Sequence, residues 1–502
     1  IKHKTSVVVR LTTPKYPVMD NLVFDWYAFR APKFWYWTHF KDQFGENNLG
    51  AWTDNAVEYT TPQINVTTAY GPNDLATYMG IRQGVTGIKF DRLGINFYCD
   101  IWNNWFRSQA LQAPITIDKG DNTLTSDNTI NTGYGLLPVC RKFDLFSASL
   151  PQPQKAGPIT LPLGLDAPVV GTGMALGITN GTNNYGIVGA SSDGLGASAS
   201  AYGQPTVATG AGSFTSSSGM RFGITKDATK SGMKVDLSSA TASTVNALRL
   251  SFATQRIFEA DARFGSIYKQ SLLQYGVFAG SMDTLIPEYL GGKSVPLNIL
   301  TCLQNSGTTA TSPLGETGAY SVTADVNIDF TKSFTTHDML MIVGCVRVDQ
   351  HTYQQGLPRQ FTRLRRLEHY NPKMAYVGNQ PIYNYQIFCQ GSSVVDSDGN
   401  IIDDQVFGYQ EAWEEYIHKP SRVSGMMSSD YASSLDVWHF GDDYANLPVL
   451  GNTWISESAS NVDRCLTVSS AVTNQFWGDF WFEQVVSAPI PLNRVPGLID
   501  HF

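Results

Sequence analysis

Strand patterns stand at both ends of this 502-residue chain. TSVVVRLT at residues 5–12 is rich in β-branched side chains. In MDNLVFDWYAFRAP, Leu22, Phe24, Trp26 and Ala28 fall on one face of a strand. QFWGDFWFEQVV at 475–486 reads as an aromatic strand close to the other end. Terminal strands that pair across hundreds of residues are usual in an antiparallel jelly roll, where the first and last strands are neighbours. No strand–helix–strand alternation runs between them, which argues against a doubly wound parallel sheet. No fixed-period repeat points to a solenoid or propeller.

The interior supplies more of the same class. In AYSVTADVNIDF at 319–330, Tyr320, Val322, Ala324, Val326, Ile328 and Phe330 alternate with polar residues. That period of two predicts a strand with its apolar face on a core. DMLMIVGCVRV at 338–348 is continuously apolar and predicts a strand covered on both sides. Helical spacing appears in DIWNNWFRSQALQ at 100–112, with Asp100 as cap and Pro114 as stop. A longer helix is expected over 243–265, from an N-cap at Ser243 to Gly265, and a second over 266–275 ending at Gly276. Residues 42–90 are polar and read as a long loop with short elements. Trp35, Tyr36, Trp37 and Phe40 form an aromatic knot that fits core or interface better than a ligand cage.

One stretch breaks the pattern. Residues 156–220 hold fourteen Gly and only two charges, Asp166 and Asp193. Dense aromatic sequence flanks it on both sides. We therefore expect one core built from residues 1–155 and 241–502, and a surface insertion over 156–240. Small uncharged side chains suit close packing between copies at a symmetry axis.

Composition fits a subunit with shared surfaces and a large soluble β enzyme about equally well. Charged residues make up 16% and aromatics 12%, whereas charge is usually about a quarter. Obligate interfaces are depleted in charge and enriched in aromatics. The net charge of −8 argues against a nucleic-acid or anionic-membrane footprint over the whole surface. The six Cys are scattered without a C-x-x-C pair and read as reduced, mostly buried thiols of a protein made in a cytosol. No apolar run reaches the ~18–20 residues of a membrane helix. The first residue is not Met, so further residues are expected ahead of it.

Signatures of catalysis fail on inspection. YLGGKS at 289–294 ends like a phosphate loop, but Pro287 stands where its first Gly belongs. No G-x-S-x-G elbow occurs, and none of the eight His has metal-ligand spacing. His439 has Asp436, Asp442 and Asp443 nearby; a hydrogen-bonded structural His outweighs a carboxylate–His site there. Asp396-Ser397-Asp398-Gly399-Asn400 resembles part of a calcium loop, but its Gly is misplaced and a hairpin turn fits better. No catalytic, cofactor-binding or metal-binding residue is assigned. The one basic cluster is Arg359, Arg363, Arg365 and Arg366, in LPRQFTRLRRLEHY. With its aromatic neighbours it could grip phosphates and stack bases of single-stranded DNA. Salt bridges between subunits, or carbonyl contacts within a loop, are the stronger expectation. A second class is a carbohydrate-binding or glycan-cleaving jelly roll, with Trp35 and Trp37 stacking sugars and two carboxylates ~5–10 Å apart.

Eight segments, taken in order, resemble the major capsid protein of Microviridae phages, specifically the gokushovirus branch. They are IWNNWFRSQALQ, RKFDLFSASLPQPQKAGP, EADARFGSIYKQSLLQYGV, PEYLGG, VDQHTYQQGLPRQFTR, FGYQEAWEEYIHKPSRVSG, SLDVWHFGDDY and VPGLIDHF. The Gly-rich stretch follows LPQPQK, where that group carries its variable insertion. The resemblance implies a mainly β subunit, an eight-stranded antiparallel jelly-roll barrel with long inserted loops and a few helices. It implies a structural, non-enzymatic role in a T=1 icosahedral shell around circular single-stranded DNA, made in the bacterial cytoplasm and resident in the virion. The implied partners are further copies across five-, three- and two-fold contacts, an internal scaffolding protein, a small basic DNA-condensing protein, a pilot protein and the packaged DNA. The insertion would form a three-fold protrusion that meets a host surface receptor. Its own sequence matches nothing, so the host does not carry over.

Overall fold

The computed structural model describes residues 1–47, 50, 52, 57–125, 135–159 and 245–489, together with five short strands between 169 and 235. The chain divides into two compact units. The larger is Ile1–Lys155 with Glu259–Phe502, and the smaller is Ala156–Phe258.

Two three-stranded antiparallel sheets organise the larger unit. Among its strands are β1 (Lys2–Leu11), β2 (Leu22–Pro32), β3 (Glu288–Pro296), β4 (Ile299–Leu303), β5 (Thr317–Ser321), β6 (Thr323–Thr331), β7 (Asp338–Val348), β8 (Asn379–Tyr383), β9 (Val406–Glu411) and β10 (Phe476–Val485), while Gln63–Asn65, Lys89–Asp91 and Leu124–Thr125 form a small third sheet. One sheet has the order β6-β1-β10 and the other β3-β2-β7. The hairpins β4-β5 and β8-β9 stand apart. The described strands do not close a barrel. The terminal strands do pair: β1 runs antiparallel to β10 from Lys2 opposite Val485 to Leu11 opposite Phe476.

Alternation then decides what is buried. Val7, Val9 and Leu11 of β1 meet Leu22, Phe24, Trp26 and Ala28 of β2 in one core. The other side of β2 carries Phe29 and Ala31 into a second core with Trp35, Tyr36, Trp37 and Phe40. Helix α1 (Leu93–Ile101) closes that core with Leu93, Phe97 and Ile101. A central strand buried on both faces needs no polar alternation. Strand β7 follows suit at its edge, with Ile342 and Val346 packed on the first core and Met339, Met341 and Val343 on the second. Trp35 and Trp37 are thus core residues, which removes them as a sugar-stacking platform.

Two local expectations need correction, and a third, for the cysteines, holds with two exceptions. The helix expected over 100–112 begins at Leu93 and passes through a π-helical turn at Trp102–Phe106, where it ends. Asp100 is therefore interior. Its carboxylate accepts from the Tyr36 hydroxyl at 2.8 Å, and burial pushes its pKa up to about 6. Beyond Phe106 side chains take over the backbone's bonding, since Gln112 accepts from the Ser108 N–H and Asn103 from the Ile115 N–H. The strand expected over 319–330 is two strands broken at Val322; its phase is inverted over 320–324, while Phe330 packs on the first core as expected. Ser321 and Thr323 are buried while Tyr320 is 49% exposed. The Thr323 hydroxyl faces inward to accept from the Asn298 N–H at 2.8 Å. The Val326 and Ile328 side chains lie outside the described residues. Finally, Cys302 and Cys389 reach the surface, whereas Cys99, Cys140 and Cys465 are buried free thiols.

Helix α2 (Val245–Phe264) ends before Gly265, which adopts φ +103°, and α3 (Tyr268–Gln274) precedes Gly276 at φ +73°. Both glycines occupy the left-handed region that ends helices at low cost. The N-cap expected at Ser243 lies outside the described residues, as does most of the insertion over 156–240. In the smaller unit, Val169–Gly171 pairs with Met233–Val235, and Gly177–Thr179 pairs with Asn184–Gly186 and Arg221–Phe222.

Candidate assembly surfaces

The four arginines of the basic cluster divide into two pairs. Arg359 donates to the Pro381 carbonyl at 3.1 Å and lies 5.8 Å over the Tyr383 ring. Arg363 forms an ion pair with Glu415, and its guanidinium sits 4.3 Å over the Tyr416 ring. Glu415 also lies 4.0 Å from Arg359. These two arginines are engaged inside the chain, one on a carbonyl and one on a carboxylate. Arg365 and Arg366 are exposed. Glu368 accepts the N–H groups of Leu364 and Arg365 at 2.7 and 2.9 Å, which holds its carboxyl below the usual range. The turn fixed in this way points Leu364 into solvent at 86% exposure, with Phe361, Leu367 and Tyr376 also exposed.

A second surface is the sheet edge. Among the described residues, strand β10 pairs with β1 only, and its other backbone edge has no partner strand there. Soluble proteins blunt such edges with Lys, Pro or short strands. Here ten residues run FWGDFWFEQV, without Lys or Pro. Phe480 turns inward, 6.2 Å from Phe24 and 6.4 Å from Trp26. Trp477, Trp481 and Val485 turn outward, Trp481 at 72% exposure. Apolar patches of this kind mark interaction surfaces. The sequence pattern identified the strand. It carried no signal that the strand is an edge, because edge status depends on which neighbour the fold supplies. Helices α2 and α3 add to the exposed apolar area, since neither contains a buried residue.

The long loops are pinned to one another by a buried ion cluster. Arg141 Nη1 lies 2.6 Å from Asp442 Oδ2. His351 Nδ1 is 3.4 Å from the same oxygen, and its Nε2 is 3.0 Å from Glu457 Oε1. Tyr444 and Asn461 also donate to Asp442. Burial alone would push His351 down, but Asp442 and Glu457 outweigh it and raise its pKa to about 9. Burial opposes the Asp442 charge too, and its hydrogen bonds and cations hold the carboxyl well below the usual range. The cluster joins the segments beginning RKFDLF, VDQHTY and HFGDDY, which are far apart in sequence.

The remaining motifs are structural. Gly441 donates its N–H to His439 Nδ1 at 3.0 Å, and the Met427 carbonyl lies 2.7 Å from Nε2. That is a hydrogen-bonded loop histidine, as expected. Asp396 accepts the N–H groups of Asp398 and Asn400, and Gly399 at φ +83° completes a hairpin turn. YLGGKS lies within β3, where Lys293 pairs with Asp325. A Cβ on Gly292 would meet Tyr27 Cδ1 at 2.2 Å, so this glycine serves strand packing.

The comparison with known proteins settles the family. The model of the phage capsid protein family (F protein) matches residues 1–498. This chain belongs to that family. It is 32% identical to capsid protein VP1 of Chlamydia phage 1 over 97% of its own length and 89% of the relative's. It is 33% identical to capsid protein VP1 of Spiroplasma virus 4, over 99% and 89%. With capsid protein VP1 of Bdellovibrio phage phiMH2K the identity is 32%, over 100% and 90%. The chain is thus a structural, non-enzymatic major capsid protein of the gokushovirus type, and its place is the virion. For a capsid protein the exposed aromatic edge and the apolar turn are not liabilities.

Proposed function

We propose that copies of this chain close a T=1 icosahedral shell around a circular single-stranded DNA. Each copy is an eight-stranded antiparallel jelly roll with long inserted loops, and the 156–240 insertion is displayed outward for host attachment. The observation that carries the shell reading is the unblunted aromatic edge β10 together with the apolar turn at 361–376. Pairing of the first and last strands supports the jelly roll. A net charge of −8 opposes DNA enclosure by this chain alone. A small basic DNA-condensing protein meets that need, beside an internal scaffolding protein, a pilot protein and a host receptor. Of the four clustered arginines, Arg365 and Arg366 are the two able to reach a phosphate or a carboxylate outside the chain. Electron microscopy of purified particles tests the reading. Small, uniform closed shells are expected; monomers under every assembly condition would overturn it.

A further inference from the structure

We infer that the outer face of β10 in one copy docks on the turn bearing Arg365 and Arg366 in the next copy. The inference rests on the shell reading and deepens it by naming the two surfaces that meet. They are different surfaces of one chain, so the contact is heterologous. Repeated around an axis, a heterologous contact closes a ring of subunits.

Charge and shape select this pairing. Between Phe476 and Val486 the chain carries Asp479 and Glu483 and no cation. Glu483 stands opposite Lys4 of β1, but Asp479 stands opposite Val8. The position directly opposite Asp479 thus carries no cation, Arg10 stands diagonal to it opposite Trp477, and Asp479 lies between Trp477 and Trp481 on the exposed face. The turn offers the inverse pattern. Arg365 and Arg366 are exposed between Leu364 and Leu367, and Lys373 is exposed further along. Inside the chain Glu415 faces Arg359 and Arg363, whereas Arg365 and Arg366 are turned to solvent, with Glu368 as the acidic neighbour of Arg365. An arginine fork suits a carboxylate in bidentate geometry and also stacks on indole faces, so both kinds of side chain on β10 find a match. Interfaces of this type concentrate their energy in tryptophan and arginine.

Assembly with charge-reversed variants tests the inference, with subunit melting curves as the folding control. Asp479→Lys with Glu483→Lys should lower shell yield at least about tenfold through like-charge repulsion, as should Arg365→Glu with Arg366→Glu. Combining all four should restore shells. Failure of the combination, when the wild-type chain assembles and each variant melts normally, overturns the inference while leaving the shell reading intact. Absence of wild-type shells would instead count against the shell reading. Full shells of the Arg365→Glu/Arg366→Glu variant that lack DNA would assign the arginines to the packaged strand and also overturn it. Should the variants fail to fold, benzoylphenylalanine at position 481 in wild-type shells gives an independent readout. Its photo-crosslink is expected in the 357–377 peptide of another copy, and a crosslink confined to any other peptide overturns the pairing.

Discussion

Arg141 and Asp442 stand 301 positions apart in sequence and 2.6 Å apart in space, both closed to solvent. Their contact holds the loop after residue 140 against the loop after residue 440. A buried pair of this kind adds little over an apolar replacement, yet removing one member strands the other. Asp442→Asn leaves both Arg141 and His351 without their shared counter-charge. We expect it to cost about 3–5 kcal/mol in urea unfolding of the subunit. The double variant Arg141→Met/Asp442→Leu should cost less than Asp442→Asn alone.

The same cluster sets a pH dependence. His351 has an ordinary pKa of 6.5 and a folded value near 9. A folded pKa above the unfolded one means that the protonated state favours folding. The contribution is complete below pH 6.5 and fades as pH rises through about 9. Subunit melting temperature should therefore fall between pH 6.5 and 9.5, and His351→Gln should flatten that decline. An unchanged slope in the variant would exclude His351 as its source.

How much of this was legible in the sequence follows from what each feature depends on. Leu22, Phe24, Trp26 and Ala28 declared their face because a period of two is a property of the strand itself. Gly265 and Gly276 marked helix ends for an equally local reason. The inverted phase around Thr323 was invisible, because it answers to the Asn298 amide brought up from the turn between β3 and β4. Likewise Arg359 and Arg363 looked like half of a four-arginine site until the fold delivered Pro381 and Glu415 to them. His439 attracted attention as the histidine near Asp442, but the fold pairs Asp442 with His351 instead. Local chemistry is written in order along the chain; partners at long range are not.

Two buried tryptophans provide a contrast in polar satisfaction. Trp37 Nε1 donates to Asp121 at 2.6 Å, whereas Trp26 Nε1 has no hydrogen-bond partner among the described residues. Replacing either by Phe loses some packing, but only Trp37→Phe also loses a charge-assisted bond of about 1.5–3 kcal/mol. Trp26→Phe removes an indole N–H that is buried without a partner, a burden of about 1–3 kcal/mol. Chemical unfolding should find Trp37→Phe the more destabilising of the two. The reverse order would mean that cavity formation at Trp26 dominates.

The insertion should be separable from the core. Among the described residues, the five buried hydrophobic clusters draw on residues outside 156–258, and the chain divides into compact units at Ala156 and Phe258. Deleting about 165–225 removes none of the described side chains of those clusters. It also spares β10, the Arg365–Arg366 turn and the Arg141–Asp442 pair. The truncated subunit should melt within a few degrees of the intact one, a difference of less than about 1 kcal/mol. Its shells should still form and be visible by electron microscopy. Infectivity, measured as plaques per particle, should be lost, because the surface proposed for host attachment is gone. Loss of folding would place the insertion inside the stabilising core, and retained infectivity would remove its role in attachment.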